Sequence, residues 1–473
     1  MAATLIHNGT LLDIGERDIT PRAGHSLSVV DGRIVEVGPA DGFAARVAAG
    51  EVATVIDARR HLIVPGLVNT HHHLFQSLTR GAPHVQQARL FDWLRGLYPL
   101  WSKLDRRALR LAAQVSLTEL VLHGVTTVSD HQYMFPPAGD ACIEAVLEAA
   151  DAVGVRVHIC RGSMTLGVSG GGLPPDDCVE RDADVLRDCQ RVLDAWHDPR
   201  PYALRRIDLA PCSPFNVTRE LLRDTAVLAR ERRVLLHTHL AETLDEERFC
   251  LDRYGCRPVD YLAELGWLGP DVYLAHCVHL SDAEVRRFAE TDTGVAHCPS
   301  SNMRLGSGIA PLERLLEAGV RVGLGVDGSS SNDGGDLLAE ARLAVLAARG
   351  LRGLAEQRRA VADDDRPPLL NAHMGLWLAT RGGARLLNRL ELGHLQPGAA
   401  ADLALFRADD IALAGAVVQD PVAALVLGAA PRADHVFVAG RQILRDGVCA
   451  KQDVGALVAE FNQVVAERFR WQA

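Results

Sequence analysis

The chain has 473 residues, 48% of them hydrophobic and 23% charged, and its 60 acidic against 50 basic side chains leave a formal charge of −10. Those proportions belong to a folded, soluble chain and exclude a disordered, collagen-like or membrane-embedded one. Arginines are scattered and only Lys103 and Lys451 are lysines, which excludes nucleic acid as a partner and nearly excludes lysine chemistry.

The N-terminal MAATLIHNGTLLDIG lacks the basic and long apolar segments of an export signal and reads as strand and turn. It opens a small β unit over residues 1–61, made of TLIHNGTLLDI, SLSVVDGRIVEVG with a hairpin signal at Asp31-Gly32, and VATVIDA. From 62 to 390 the rhythm changes to short apolar runs separated by longer amphipathic segments. The runs are LIVPGLVNTH (62–71), VTTVSDH (125–131), VRVHICRG (155–162), RIDLAPCSPF (206–215), RVLLHTHLAE (233–242), VYLAHCVHL (272–280), GVAHCPSS (294–301) and VRVGLGVDG (320–328). Between them, RRALRLAAQVSLTELVLHG and DACIEAVLEAADAVG repeat apolar residues every three or four positions and stop at Gly124 and Gly154, as helices do. Eight such units predict an α/β fold, a (β/α)8 TIM barrel.

EQRRAVADDDRPP (356–368) reads as a surface loop. Strand rhythm returns in ADLALF (401–406) and HVFVAGRQILRDG (435–447), the second with a turn at Gly440. Residues 391–473, ending in a helix, are therefore expected to complete with 1–61 one discontinuous β-sandwich domain. The ten scattered cysteines form no C-x-x-C pair, which predicts reduced thiols and a cytoplasmic protein.

In a parallel barrel the C-terminal ends of the strands converge on one mouth, and here those ends are rich in metal-binding side chains. The first run ends in His71-His72-His73, the fifth in His237-Thr238-His239 followed by Glu242, the sixth contains His276 and the eighth Asp327. Alternation puts His71 and His73 on one face and His72 on the other. Zn²⁺ takes imidazole and carboxylate ligands and, in catalytic sites, keeps a position open for water, so His71, His73, His239 and Asp327 form a plausible set. A lone histidine at a strand end is more often a hydrogen-bonded core residue, but acids and imidazoles at four strand ends are costly to bury without an ion.

PGLVNTHHHLFQ, HTHLAET, LAHCVHL, CPSSNMRLGSG and GVDGSSSNDGGD, with PGAAADLALF and VFVAGRQILRDG, resemble the amidohydrolase superfamily, in particular its cytosine, guanine and 8-oxoguanine deaminase branch. The resemblance covers nearly the whole chain and implies the same four ligands, a catalytic carboxylate at Glu242 and a strand-six histidine at His276. His237 and His239 point the same way; the two-residue rise puts His237 deeper in the barrel, which favours His239 as ligand. His131, His279 and His297 are expected around the ligands or facing substrate. Some members bridge two metals with a carbamylated strand-four lysine; this chain has Cys212, Ser213 and Pro214 there, so one ion is expected, Zn²⁺ or another divalent metal such as Fe²⁺.

In the reaction so implied, Asp327 accepts a proton from water, His276 holds that water in line, and Glu242 moves protons to a ring nitrogen and the departing ammonia. The H-x-E and P-C-x-x-C signature of the other zinc deaminases is absent. Gln76, three residues after His73, offers an amide complementary to a lactam edge, and Trp93 and Trp101 either stack over a flat heterocycle or pack their connection onto the barrel. The expected reaction is 8-oxoguanine and water to urate and ammonia, with isocytosine, guanine or pterin-like deamination and s-triazine hydrolysis as alternatives. A catalytically dead binding barrel is the non-enzymatic one. The expected partner is a small heterocycle, with neither nucleic acid nor membrane, in a homo-oligomer.

Overall fold

The computed structural model describes residues 3–135, 142–357, 370–428 and 431–470. Alternating apolar side chains make β1 (Thr4–Ile14), which pairs antiparallel with β2 (Ile19–Val30), and β2 turns into β3 (Arg33–Pro39). The turn residues Asp31 and Gly32 have φ of 49° and 76°, the left-handed pair that a two-residue hairpin requires. β4 (Thr54–Asp57) and β5 (His61–Pro65) both run parallel to β1.

The expected strand over 62–71 is two strands in two sheets. Pro65-Gly66 breaks the run, as that dipeptide commonly does, and β6 (Leu67–His72) starts the barrel directly afterwards. There follow β7 (Val125–Gln132), β8 (Arg156–Ser163), β9 (Arg205–Pro211), β10 (Leu236–Leu240), β11 (Val272–His276), β12 (Gly294–His297) and β13 (Val322–Leu324). These eight strands pair in parallel in sequence order. The seam between β6 and β13 is nearly closed: Thr70 Oγ1 donates to Leu324 O at 2.9 Å, Val326 N–H to Asn69 Oδ1 at 3.0 Å and Asp327 N–H to His71 O at 3.0 Å.

Helices Arg106–Leu122 and Cys142–Val153 lie between strands and bury their apolar faces, as their periodicity predicts. The runs expected over 206–215, 233–242, 272–280, 294–301 and 320–328 are strands only in part. Their C-terminal residues turn away into loops, where Ala241, His276, Cys277 and Asp327 take φ of 51°, 72°, 49° and 60°, and in the run 294–301 into the helix Pro299–Arg304. The run 356–368 lies outside the described residues from 358 on, and Gln357 ends the helix Leu337–Gln357.

β14 (Leu403–Arg407) then pairs antiparallel with β5, followed by β15 (His435–Val438), β16 (Arg441–Arg445) and β17 (Val448–Cys449). Strands from both ends of the chain thus share one nine-stranded sheet, and the helix Val454–Val464 comes after them. The two hairpin turns abut: a Cβ on Gly32 would stand 2.9 Å from Ala439 O, a space only glycine leaves open. A buried pair joins sheet to barrel, Arg156 Nε donating to Asp402 Oδ2 at 2.6 Å and Arg156 Nη2 to Asp402 Oδ1 at 3.0 Å. Among the described residues, no helix is long and apolar enough to cross a membrane.

Candidate metal centre

At the C-terminal mouth of the barrel the side chains of β6, β10 and the loop after β13 converge. His73 Nε2 lies 3.0 Å from His239 Nε2 and 3.2 Å from Asp327 Oδ1, and His71 Nε2 lies 3.4 Å from the same carboxylate oxygen. All four residues are nearly excluded from solvent except for the half-covered His239.

The tautomers follow from what each remote nitrogen touches. His73 Nδ1–H donates to His131 O at 2.8 Å and His239 Nδ1–H to Cys212 O at 2.6 Å. His237 Nδ1–H donates to Tyr273 O at 2.8 Å, so its Nε2 is an acceptor and takes the Nδ1–H of His71 at 2.7 Å. Each imidazole therefore spends its proton on a partner behind it and turns an Nε2 lone pair toward the others. Burial holds His71, His73 and His239 below the usual histidine range, which keeps them neutral. Lone pairs 3.0 Å apart repel unless a cation lies between them, so this donor set fits a divalent ion. His237 sits behind His71 and orients it, as its depth in the strand predicts.

His131 joins the same group of imidazoles, stacked on His239 with centroids 4.8 Å apart; its Nε2–H donates to Ala210 O at 2.7 Å and its Nδ1 has no partner. His279 Nε2 instead bonds Ser307 O, and neither it nor His297 lines the cavity. Another histidine–carboxylate group, His61, Asp434 and His435, lies in the terminal sheet.

His276 Nδ1–H donates to Asn302 Oδ1 at 2.8 Å, and its Nε2 faces Glu242 Oε2 at 3.6 Å and Asp327 Oδ2 at 3.9 Å. Burial pulls the imidazole down, but the two carboxylates outweigh it and its pKa lies above the usual value. Glu242 Oε1 accepts from Ser307 Oγ at 3.2 Å, and burial raises its carboxyl above the usual range.

These groups form one end of a cavity that Leu90, Leu94, Tyr133 and Phe215 also line, apolar walls around a few polar groups as in small-molecule sites. Gln76 lies on its wall: its Nε2 donates to Tyr133 OH at 3.3 Å and its Oε1 has no partner. A Cβ on residue 328 would meet Gln76 Oε1 at 1.9 Å, so Gly328 leaves room for that amide. Trp93 lines the cavity with an unpartnered indole N–H, whereas Trp101 packs beneath it and donates to Thr79 Oγ1 at 3.0 Å. Ser213 Oγ and Asn216 Oδ1, on the loop after β9, also line it without partners. Sequence reasoning missed these two, because a serine and an asparagine in a loop carry no signal of their own.

A family profile described as "Amidohydrolase family" matches residues 62–443. The 8-oxoguanine deaminase of Pseudomonas aeruginosa is 46% identical over 437 residues, covering 92% of this chain and 93% of that protein. An isoxanthopterin deaminase from an unknown prokaryotic organism is 35% identical, covering 99% and 98%. The crystal structure of atrazine chlorohydrolase from Arthrobacter aurescens TC1, complexed with zinc, superimposes with a TM-score of 0.89 at 33% identity, covering 98% of this chain and 100% of that one.

Proposed function

The chain belongs to the amidohydrolase family, and from that premise we propose that it is a metal-dependent hydrolase of C–N bonds that converts 8-oxoguanine and water to urate and ammonia. The observation that carries the chemistry is that the Nε2 lone pairs of His71 and His73 face one Asp327 oxygen while that of His239 faces His73 Nε2 at 3.0 Å, each ring fixed in that tautomer by a bond behind it. His71, His73, His239 and Asp327 are the proposed ligands. Imidazole and carboxylate donors suit Zn²⁺, and Fe²⁺ takes the same set. Bound there, one such ion supplies a water acidified to a pKa near ~7.

Asp327 receives the proton of the attacking water. His276, its Nδ1 proton committed to Asn302, keeps Nε2 directed between the carboxylates of Glu242 and Asp327 and holds the nucleophile in line. Glu242, its carboxyl raised by burial, is suited to give its proton to a ring nitrogen and then, taking up the remaining proton of the attacking hydroxyl, to pass that one to the leaving amino group. Gln76 reads the lactam edge of the base. The unpartnered Trp93 N–H, Ser213 Oγ and Asn216 Oδ1 offer further polar contacts around the same ring system.

The substrate assignment is supported by the 46% identical deaminase and by Gln76. The ten cysteines stand as thiols, which supports a reducing, cytoplasmic compartment, and assembly as a homo-oligomer completes the reading. The test is to incubate the metal-loaded protein with 8-oxoguanine, guanine, isocytosine and an aminotriazine, following ammonia release and the ultraviolet absorbance of urate. Equimolar urate and ammonia from 8-oxoguanine, at the highest kcat/KM of the panel, is expected. Ammonia from isocytosine or the triazine without urate from 8-oxoguanine would overturn the substrate and leave the metal chemistry standing.

A further inference from the structure

Two helices that follow barrel strands open with the same four-residue signal, and they use it differently. Ser281-x-x-Glu284 precedes the helix Asp282–Thr291 and closes a capping box: Ser281 Oγ accepts Glu284 N–H, and the Glu284 carboxylate accepts Ser281 N–H at 2.7 Å. Thr243-x-x-Glu246 precedes the helix Leu244–Tyr254, and Thr243 Oγ1 likewise accepts Glu246 N–H at 3.3 Å. The Glu246 carboxylate, however, passes over the nitrogen of Thr243. Its Oε1 accepts the N–H of Ala241 and its Oε2 the N–H of Glu242, each at 2.9 Å.

The segment it grips is unusual. Ala241 has φ of 51°, a left-handed conformation that alanine rarely takes. The carbonyl of Ala241 accepts the N–H of His279 at 2.9 Å, so this turn is held from both of its amide nitrogens and from the oxygen between them. Glu246 is itself fully buried, and burial pushes its carboxyl up to about 8 even against the two N–H donors. A polar group is costly to bury in such a place unless it is hydrogen-bonded.

We propose that Glu246 is a positioning residue for the deamination, holding the Ala241–Glu242 turn so that the Glu242 carboxylate meets His276 and Ser307. The inference rests on the role given to Glu242 above. The two contacts so aimed are Glu242 Oε2 to His276 Nε2 at 3.6 Å and Glu242 Oε1 to Ser307 Oγ at 3.2 Å. Glu246 does not itself line the cavity, and its bonds go to the backbone of Ala241 and Glu242, so its effect passes through that backbone.

Glu246→Gln tests this, since the amide keeps the volume but its NH₂ cannot accept a backbone N–H. The expected result is a fall in kcat of about 10- to 100-fold with KM within about threefold and metal content unchanged, the split expected of a lost transition-state interaction. Adding Ala241→Gly, which takes left-handed φ freely, should recover about threefold or more of that kcat. Amide exchange across residues 240–244 reads the grip without turnover: it should accelerate about 10-fold or more in Glu246→Gln and stay unchanged in Glu284→Gln. Unaltered exchange overturns the proposal whether or not the wild-type protein deaminates anything. So does a kcat within about twofold of wild type, or a kcat that falls only in step with lost metal. A wild-type protein inactive on every heterocycle, with accelerated exchange in the variant, overturns the deaminase reading and the catalytic part of this proposal while leaving the turn-holding bonds established.

Discussion

The barrel mouth and the terminal sheet each gather histidine and aspartate side chains closely enough to share an ion. At the mouth every remote ring nitrogen donates backward, to a backbone carbonyl or to His237, and the Nε2 lone pairs face inward. In the terminal sheet the polarity is reversed at His435. Its Nδ1 accepts from Asp446 N–H at 3.3 Å and lies 3.1 Å from Gln442 Nε2, so the proton sits on Nε2, facing Asp434 Oδ2 at 3.7 Å. His61 Nε2 meets the same carboxylate oxygen at 2.8 Å. That arrangement sets one hydrogen-bonded N–H, from His61, and a second N–H, from His435, against the same acceptor, with protons rather than lone pairs facing the carboxylate. Residue type and proximity are common to both clusters; what differs is whether lone pairs or protons face inward, which the bonds behind the rings set at the mouth and at His435.

The comparison breaks most visibly in metal content. Protein purified without added metal should hold about one equivalent, lost in His73→Ala together with activity and retained in His61→Ala. Metal analysis of the three proteins decides it, and retention in His73→Ala or loss in His61→Ala would exchange the roles of the two clusters. Next in size is Glu242→Gln, which keeps the ion but cannot shuttle a proton; kcat should drop about 10²-fold or more in steady-state assays.

Acid sharpens the comparison through the histidines that neither cluster uses for a proton. His72 and His297 are each pushed down to about 3 by burial, against 6.5 when exposed. The folded state keeps them neutral while the unfolded state takes up protons below pH 6.5, so stability is lost as pH falls from 6.5 toward 3 and is flat above it. At pH 5 each costs about 2 kcal/mol, measurable as a falling midpoint in denaturant titrations of the chelator-treated protein. Of similar size is the effect expected of Gln76→Leu, which removes the proposed reader of a lactam edge: kcat/KM for 8-oxoguanine should fall by about 1–3 kcal/mol in free-energy terms, with metal unchanged.

Much of this was legible from residue order. The eight barrel strands announce themselves by apolar runs, and the hairpins by Asp31-Gly32 and Gly440, because those signals are local. The convergence of His71, His73, His239 and Asp327 follows once the barrel is assumed, since strand ends share one mouth. The exact course of the mouth was not legible. Ala241, His276, Cys277 and Asp327 adopt left-handed backbone, yet alanine and cysteine give no hint of it, and the strands were expected to run through all four. The turns are tied by side-chain and cross-strand bonds that residue type does not announce: Glu246 to the N–H groups of residues 241 and 242, and Asp327 N–H on His71 O. The split of 62–71 had a signal in Pro65-Gly66, but alternation alone could not say that the chain leaves one sheet for another there.

That split has a consequence for modularity. β5, paired with β1 on one side and β14 on the other, is separated from β6 by Gly66 alone, and β6 ends at the first histidines of the mouth. The terminal sheet is therefore not a cassette that can be trimmed away or exchanged between relatives at a flexible linker. A cut on either side of Gly66 unmoors the strand that carries His71 and His73, so the two halves of the molecule are bound to be inherited as one.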